Sequence, residues 1–132
     1  MNGDASAWLR YARENVATAR LCLQSGLFNP SIQNAQQTVE KALKALCLHA
    51  GLTVKKTHSI AGLRHDLLQA NQACPLDEGD CDLLDSVYLP SKYPLGSALP
   101  DFEPNENIAS RCLLLAEQAL SITSNAIGKE SH

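Results

Sequence analysis

Apolar residues recur along this chain at steps of three and four, in long blocks, and nowhere in a sustained alternation. That period belongs to amphipathic helices rather than strands. The clearest block covers 29–51. There Ile32, Ala35, Val39, Ala42, Leu43, Leu46 and Ala50 share one face. Asn29 followed by Pro30 predicts an N-cap and first helical residue, and Gly51 a left-handed stop. Gln36 interrupts the stripe, four residues after Ile32 and three before Val39. A polar ridge carries Gln33, Gln37, Lys41 and Lys44, with Glu40 placed four residues before Lys44 as a helical ion pair.

The same pattern predicts the other elements. A first helix is expected over about 5–24, capped by Asp4 and ended by Gly26, with Trp8, Ala12, Val16, Ala19 and Leu23 inward. The four residues 26–29 then join two antiparallel helices. A third helix starts at Thr57 or Ser59, turns Ile60, Leu63, Leu67 and Ala70 inward, and ends at Cys74 and Pro75. A short helix over about 77–89 has Asp77, Glu78 and Asp80 in its first turn, where a helix dipole favours acids. Its buried edge is Leu84, Val87 and Tyr88. Four of the six prolines lie in 90–104, which reads as a long loop. A last helix over about 105–127 buries Ile108, Cys112, Leu115, Ala119, Ile122 and Ala126, with Gly128 breaking it and 129–132 frayed. The expected fold is all-α, an up-and-down four-helix bundle with a short additional helix and a Pro-rich loop, in one domain over 1–132.

Composition agrees with a folded domain: 132 residues, 45% hydrophobic, net charge −3. No apolar run reaches membrane-spanning length and no basic-then-apolar leader opens the chain. The expectation is a cytoplasmic protein without membrane contact. Five cysteines with no C-x-x-C pair read as reduced structural thiols. The acidic run D-E-G-D-C-D lacks the alternating ligands of a calcium loop, and no metal or cofactor is expected.

Charge is unevenly placed. From Lys41 to Arg64 there are five Lys or Arg and no acid, whereas from Asp66 to Glu106 there are nine acids and only Lys92 basic. The basic middle either steers an anion to one face or faces the acidic block.

The run A-x-x-x-L-x-x-G-x-x-N-x-S-x-x-N-A-Q-Q-T-V-E-K-A-L-K-A-L, from Ala19 to Leu46, resembles the HEPN family. The likeness continues at Thr57-His58-Ser59-Ile60, where the family often has Thr-His-Asp-Leu. It returns at Tyr88-Leu89-Pro90-Ser91-Lys92-Tyr93-Pro94, where the family shows a tyrosine and then Arg-Tyr-Pro. The three segments follow the family's order and spacing over most of the chain. The resemblance implies a compact helical bundle that dimerises and is often paired with a minimal nucleotidyltransferase in toxin–antitoxin or stress modules.

Many HEPN proteins are metal-independent ribonucleases that use an arginine and a histidine four to six residues later. The histidine handles the 2′-hydroxyl proton and the arginine neutralises the phosphorane. No arginine here is followed by histidine at that spacing. The nearest stand-in is Lys44 with His49, and the arginine of Arg-Tyr-Pro is Lys92; lysine lacks the bidentate fork. No catalytic residue is therefore assigned. Nucleotide or RNA contact is expected from Gln37, Lys41, Lys44, His58, Lys92 and Tyr93, with His58 alternatively fixing its loop against the second helix. Gln36 and Tyr88 are expected as structural polar groups, the Gln36 amide bonded to Tyr88 or Tyr93. On this reading Lys44→Ala affects ligand binding and Gln36→Leu stability.

Three functions fit. The first is a non-catalytic or weakly active HEPN protein, homodimeric, that binds nucleotide or RNA and a nucleotidyltransferase. The second is a metal-independent ribonuclease toxin with a diverged site. The third is a helical assembly protein without a nucleotide ligand.

Overall fold

In the computed structural model, residues 3–92 and 104–130 are described, with side chains over 5–88 and 104–128. Five helices follow in chain order: α1 (Gly3–Gln24), α2 (Phe28–His49), α3 (Ile60–Gln69), α4 (Glu78–Lys92) and α5 (Glu106–Glu130). The fold is all-α, with no strand among the described residues. The Pro-rich segment 93–103 and the tail at 131–132 lie outside the described residues.

The α2 helix is the hub, packing against each of the other four. Its predicted stripe is buried as far as Leu46: Ile32, Ala35, Val39, Ala42 and Leu43 are all at 0% exposure and Leu46 is at 8%, while Ala50 is half-buried. Burial continues onto the other faces through Ser31, Gln36, Thr38, Glu40, Lys44 and Cys47. A helix enclosed on nearly all sides must pair its polar groups internally, because no water reaches them. Ser31 begins that accounting by donating its hydroxyl to the Ala19 carbonyl of α1 at 2.9 Å.

The hairpin between α1 and α2 is tighter than its sequence implies. Gly26 adopts φ +74, its N–H reaches the Leu23 carbonyl at 3.1 Å, and the Leu27 N–H reaches the Cys22 carbonyl at 2.8 Å. This is a Schellman ending. It hands the chain to α2 at Phe28, with Leu27 in the cap position and no side-chain cap bond. Asn29 is therefore not the N-cap, and Pro30 sits third in the helix, where its missing N–H had no partner to lose. Gly51 (φ +83) ends α2 with the same pair of bonds, from its own N–H to the Leu48 carbonyl at 3.0 Å and from Leu52 N–H to the Cys47 carbonyl at 2.9 Å.

Other boundaries also move. The α1 helix starts at Gly3, so Asp4 lies inside it. The α3 helix stops well before Cys74, because Asn71 takes φ 59 and makes a third Schellman ending. Asparagine tolerates that conformation where most residues do not. The α4 helix runs through Pro90 to Lys92. Pro90 gives up the bond its N–H would have donated to the Ser86 carbonyl one turn earlier. Gly128 is helical and carries no positive φ, so it does not break α5.

The inner face of α5 is rotated relative to the expected stripe in its second half. Ala109, Cys112, Leu113, Ala116, Ala119, Leu120, Thr123 and Ile127 are buried, whereas Ile122 is 46% exposed and Ala126 is exposed. Thr123, polar but small, occupies the core position that a hydrophobic count assigns to its neighbour. Leu43→Ala should cost about 2–5 kcal/mol in urea unfolding, and Ile122→Ser should stay within about 0.5 kcal/mol. A large loss for Ile122→Ser would return that residue to the core.

Candidate functional site

The buried face of α2 carries one carboxylate with two partners. Glu40 is 3% exposed. Its Oε2 accepts from Lys44 Nζ at 2.9 Å, and its Oε1 lies 2.9 Å from His58 Nδ1. Lys44 is itself only 6% exposed, and its ammonium stands 5.3 Å from the centre of the Trp8 ring of α1. Ion pair and cation–π contact together neutralise a cation that water cannot reach.

His58 belongs to the connection between α2 and α3, and its side chain is 63% exposed. A carboxylate already holding Lys44 calls for a donor, which places the imidazole proton on Nδ1 and leaves Nε2 for an outside partner. The ring rests on Tyr88 of α4, centroids 5.5 Å apart and planes inclined by 31°. Gln36, fully buried, donates Nε2 to the His58 carbonyl at 3.0 Å and accepts from Gln37 Nε2 at 3.0 Å. Gln36 therefore pairs with His58 and Gln37; Tyr93 lies outside the described residues. Backbone and ring of His58 are both anchored to α2.

The start of α3 is held as firmly. Ser59 is its N-cap, accepting from Gly62 N–H at 3.0 Å, and the Thr57 hydroxyl accepts from Ser59 N–H at 3.0 Å. Asp85 of α4 accepts from the Ile60 and Ala61 N–H groups at 2.8 and 3.0 Å. A carboxylate on two orphan donors at a helix N-terminus satisfies both hydrogen bonding and the dipole.

Of the residues proposed from sequence, Gln36, Gln37, Lys44, His58 and Tyr88 thus form one connected cluster centred on Glu40. Lys41 is committed elsewhere: its Nζ donates to Asn15 Oδ1 at 2.7 Å on the α1–α2 seam, where Asn15 in turn donates to Asn34 at 2.9 Å. Lys44, buried and paired, is not a surface cation for phosphate. The Lys92 side chain and Tyr93 lie outside the described residues. Lys44 and His49 are five positions apart on one helix, hence about 140° apart around its axis.

Glu40 was seen in the sequence as a helical partner of Lys44, but its bond to His58 and the capping role of Asp85 were not. Those contacts span 18 and 25 residues, beyond any local spacing rule. The basic and acidic blocks do meet, at Lys55 and Asp66, 3.3 Å apart. Clefts also lie away from Glu40. One of about 570 Å³ is lined by Trp8, Tyr11, Leu48, Leu52 and Val54, the other, of about 240 Å³, by Arg64, His65, Glu78, Cys81 and Asp82. Among the described residues, no group of three or more His, Cys, Asp or Glu is placed to hold a metal.

Comparison with known proteins places the chain. The HEPN domain profile matches residues 5–126. The crystal structure of TT1696 from Thermus thermophilus is similar with a TM-score of 0.75 and 30% identity, over 95% of this chain and 98% of that one. ST0689, an archaeal HEPN homologue, gives a TM-score of 0.62 at 24% identity, over 93% of this chain and 97% of its own, a likeness of fold. No protein of curated function matches the sequence.

Glu40→Gln should cost about 3–5 kcal/mol, because it strands a buried ammonium, and adding Lys44→Met should recover much of that loss. Gln36→Leu should cost about 1–3 kcal/mol by leaving the His58 carbonyl and Gln37 without their partner. Chemical denaturation of the four proteins checks both statements, and unfolding midpoints equal to wild type would remove the cluster's structural role.

Proposed function

This chain belongs to the HEPN domain family, and we propose that it is the non-catalytic or weakly active binding member of a two-protein toxin–antitoxin or stress module. It contacts nucleotide or RNA and pairs with a minimal nucleotidyltransferase in the cytoplasm. The observation that carries this reading is the fate of Lys44. The cation nearest in sequence to a substitute for the family's arginine is buried against Glu40 and Trp8. It stabilises the bundle and is withheld from a scissile phosphate. With no arginine at the required distance from a histidine, the residues for phosphorane stabilisation are missing from the sequence.

His58 supports a binding role. Its ring is fixed by Glu40 and Tyr88 while most of it faces solvent. A fixed imidazole can accept from a nucleotide donor or stack on a base without an ordering cost on binding. Its neighbour Tyr88 lies on α4, whose last residue is Lys92. Homodimerisation draws support from the outer side of α5, where Leu114 is 59% and Ile122 46% exposed.

The test is incubation of labelled tRNA and mRNA with purified protein in EDTA, beside Lys92→Ala and His49→Ala variants, together with RNA and nucleotide binding across a salt series. Wild-type protein should bind with an affinity that falls as salt rises, and should not cleave. His58→Ala should weaken binding about ten-fold, the worth of one ordinary hydrogen bond. Cleavage that disappears in either of the other variants would make the protein a metal-independent ribonuclease instead.

A further inference from the structure

After the Gly51 stop the chain runs without helix as far as Ser59. The Leu52 N–H is tied back to the Cys47 carbonyl of α2, and Thr53 and Val54 follow with no backbone hydrogen bond from their own N–H groups among the described residues. Between this segment, the end of α2 and the first half of α1 lies the cleft of about 570 Å³, a volume that suits a small ligand. Two rings dominate it, Trp8 and Tyr11, three residues apart and so on one face of α1. Leu48, Leu52 and Val54 complete its apolar wall, Thr53 lies beside them, and no charged residue is part of the lining.

A pair of aromatic rings ordinarily attracts an ammonium ligand through the negative faces of the rings. Here each ring already carries a cation of the protein: Lys44 Nζ stands 5.3 Å from the Trp8 ring centre, and the Arg10 guanidinium 5.3 Å from that of Tyr11. Lys44 is buried, so it meets Trp8 from within the bundle, and Glu40 balances its charge. Arg10 is exposed and has no ion pair among the described residues, so it is the uncompensated charge beside the cleft. The adjoining smaller cleft, which shares Leu52 and Thr53, contains Asp66, and that carboxylate is paired with Lys55 at 3.3 Å. The local balance therefore favours a negative ligand. Hydrogen bonding points the same way. Trp8 Nε1–H, a donor only, has no acceptor among the described residues and is not buried, and the Tyr11 and Thr53 hydroxyls are open in the same way.

We propose that this cleft is a binding site for a small, planar aromatic carboxylate. The ligand ring packs on Trp8 and Tyr11 in offset or edge-on geometry and covers the aliphatic wall. Its carboxylate stays at the open side, where it accepts from the side-chain donors, feels the positive field of Arg10 and keeps part of its hydration. A charge so placed avoids the desolvation cost of full burial. The site uses neither the exposed His58 ring nor an RNA chain, and it stands independently of the nucleotide reading above.

Trp8 is the chain's single tryptophan, so the proton–nitrogen correlation spectrum of the full chain holds one indole N–H peak, and that peak reports on the cleft. Two probes of similar shape and opposite charge are titrated, 2-naphthoate and 2-naphthylmethylammonium. Naphthoate should move the Trp8 peak saturably at millimolar concentration or below, and bind about ten-fold more tightly than the ammonium, the scale of one cation–π contact. Arg10→Gln should narrow that preference, and Tyr11→Leu should weaken naphthoate several-fold. Both side chains are exposed, so the rest of each variant's spectrum should match wild type. Equal or tighter binding of the ammonium, no saturation with naphthoate, or a preference unchanged in Arg10→Gln would overturn the proposal. So would a Trp8 peak that moves on diluting the protein alone, because the occupant of the cleft would then be a second copy of this chain.

Discussion

Glu40 carries a negative charge into the most enclosed helix of the bundle, where an unpaired carboxylate would cost several kcal/mol in lost hydration. The structure answers with a cation on one oxygen and an imidazole on the other. Neither partner comes cheaply. Lys44 is buried too and relies on the Trp8 ring as well as on Glu40. His58 must be brought from a separate segment and held at a fixed angle. The rest of the arrangement around α2 follows from that demand. Gln36 fixes the His58 backbone, Tyr88 supports its ring, and Asp85 and Ser59 pin the helix that begins just after it. One buried charge thereby ties together α1, α2, the connection to α3, and α4.

Because α2 touches every other helix, its polar residues cannot be satisfied by solvent and must be satisfied by neighbours. A wholly apolar α2 could be as stable, since a buried ion pair often contributes little net stability. What the Glu40 cluster adds is registry. An apolar face tolerates sliding and rotation, whereas a carboxylate that needs two partners at 2.9 Å fixes where the segment before α3 can lie.

Features with a local cause were readable in the sequence. The α2 stripe, the Gly26 and Gly51 stops and the Ser59 cap each depend on residues within one or two turns. The apolar edge of α4 at Leu84, Val87 and Tyr88 is equally local. Boundaries failed where two local signals competed. The tight hairpin overrode the Asn29–Pro30 start, and Asn71 ended α3 before Cys74–Pro75 could. The phase of α5 failed because leucines at 113, 114 and 115 satisfy more than one stripe, and only packing decides that Leu114 faces out. The site was legible as a set of residues and not as an arrangement. Gln36, Gln37, Lys44, His58 and Tyr88 are neighbours, but the sequence put Lys44 on the surface and gave no sign that Glu40 joins it to His58.

That misplacement bears on chemistry. A lysine on a helix ridge reads as a phosphate contact, and an ion pair four residues away reads as a surface ornament worth a few tenths of a kcal/mol. Burial changes the meaning of both residues, because the same pair becomes a structural commitment inside the bundle. In this HEPN chain the loss of the arginine–histidine spacing and the sequestration of Lys44 act in the same direction. The cluster gives outward access chiefly through His58, whose exposed ring contrasts with its buried partners. The imidazole is fixed from its inner side by Glu40 and Tyr88 while most of the ring faces solvent, so the core sets its position without using its outer side.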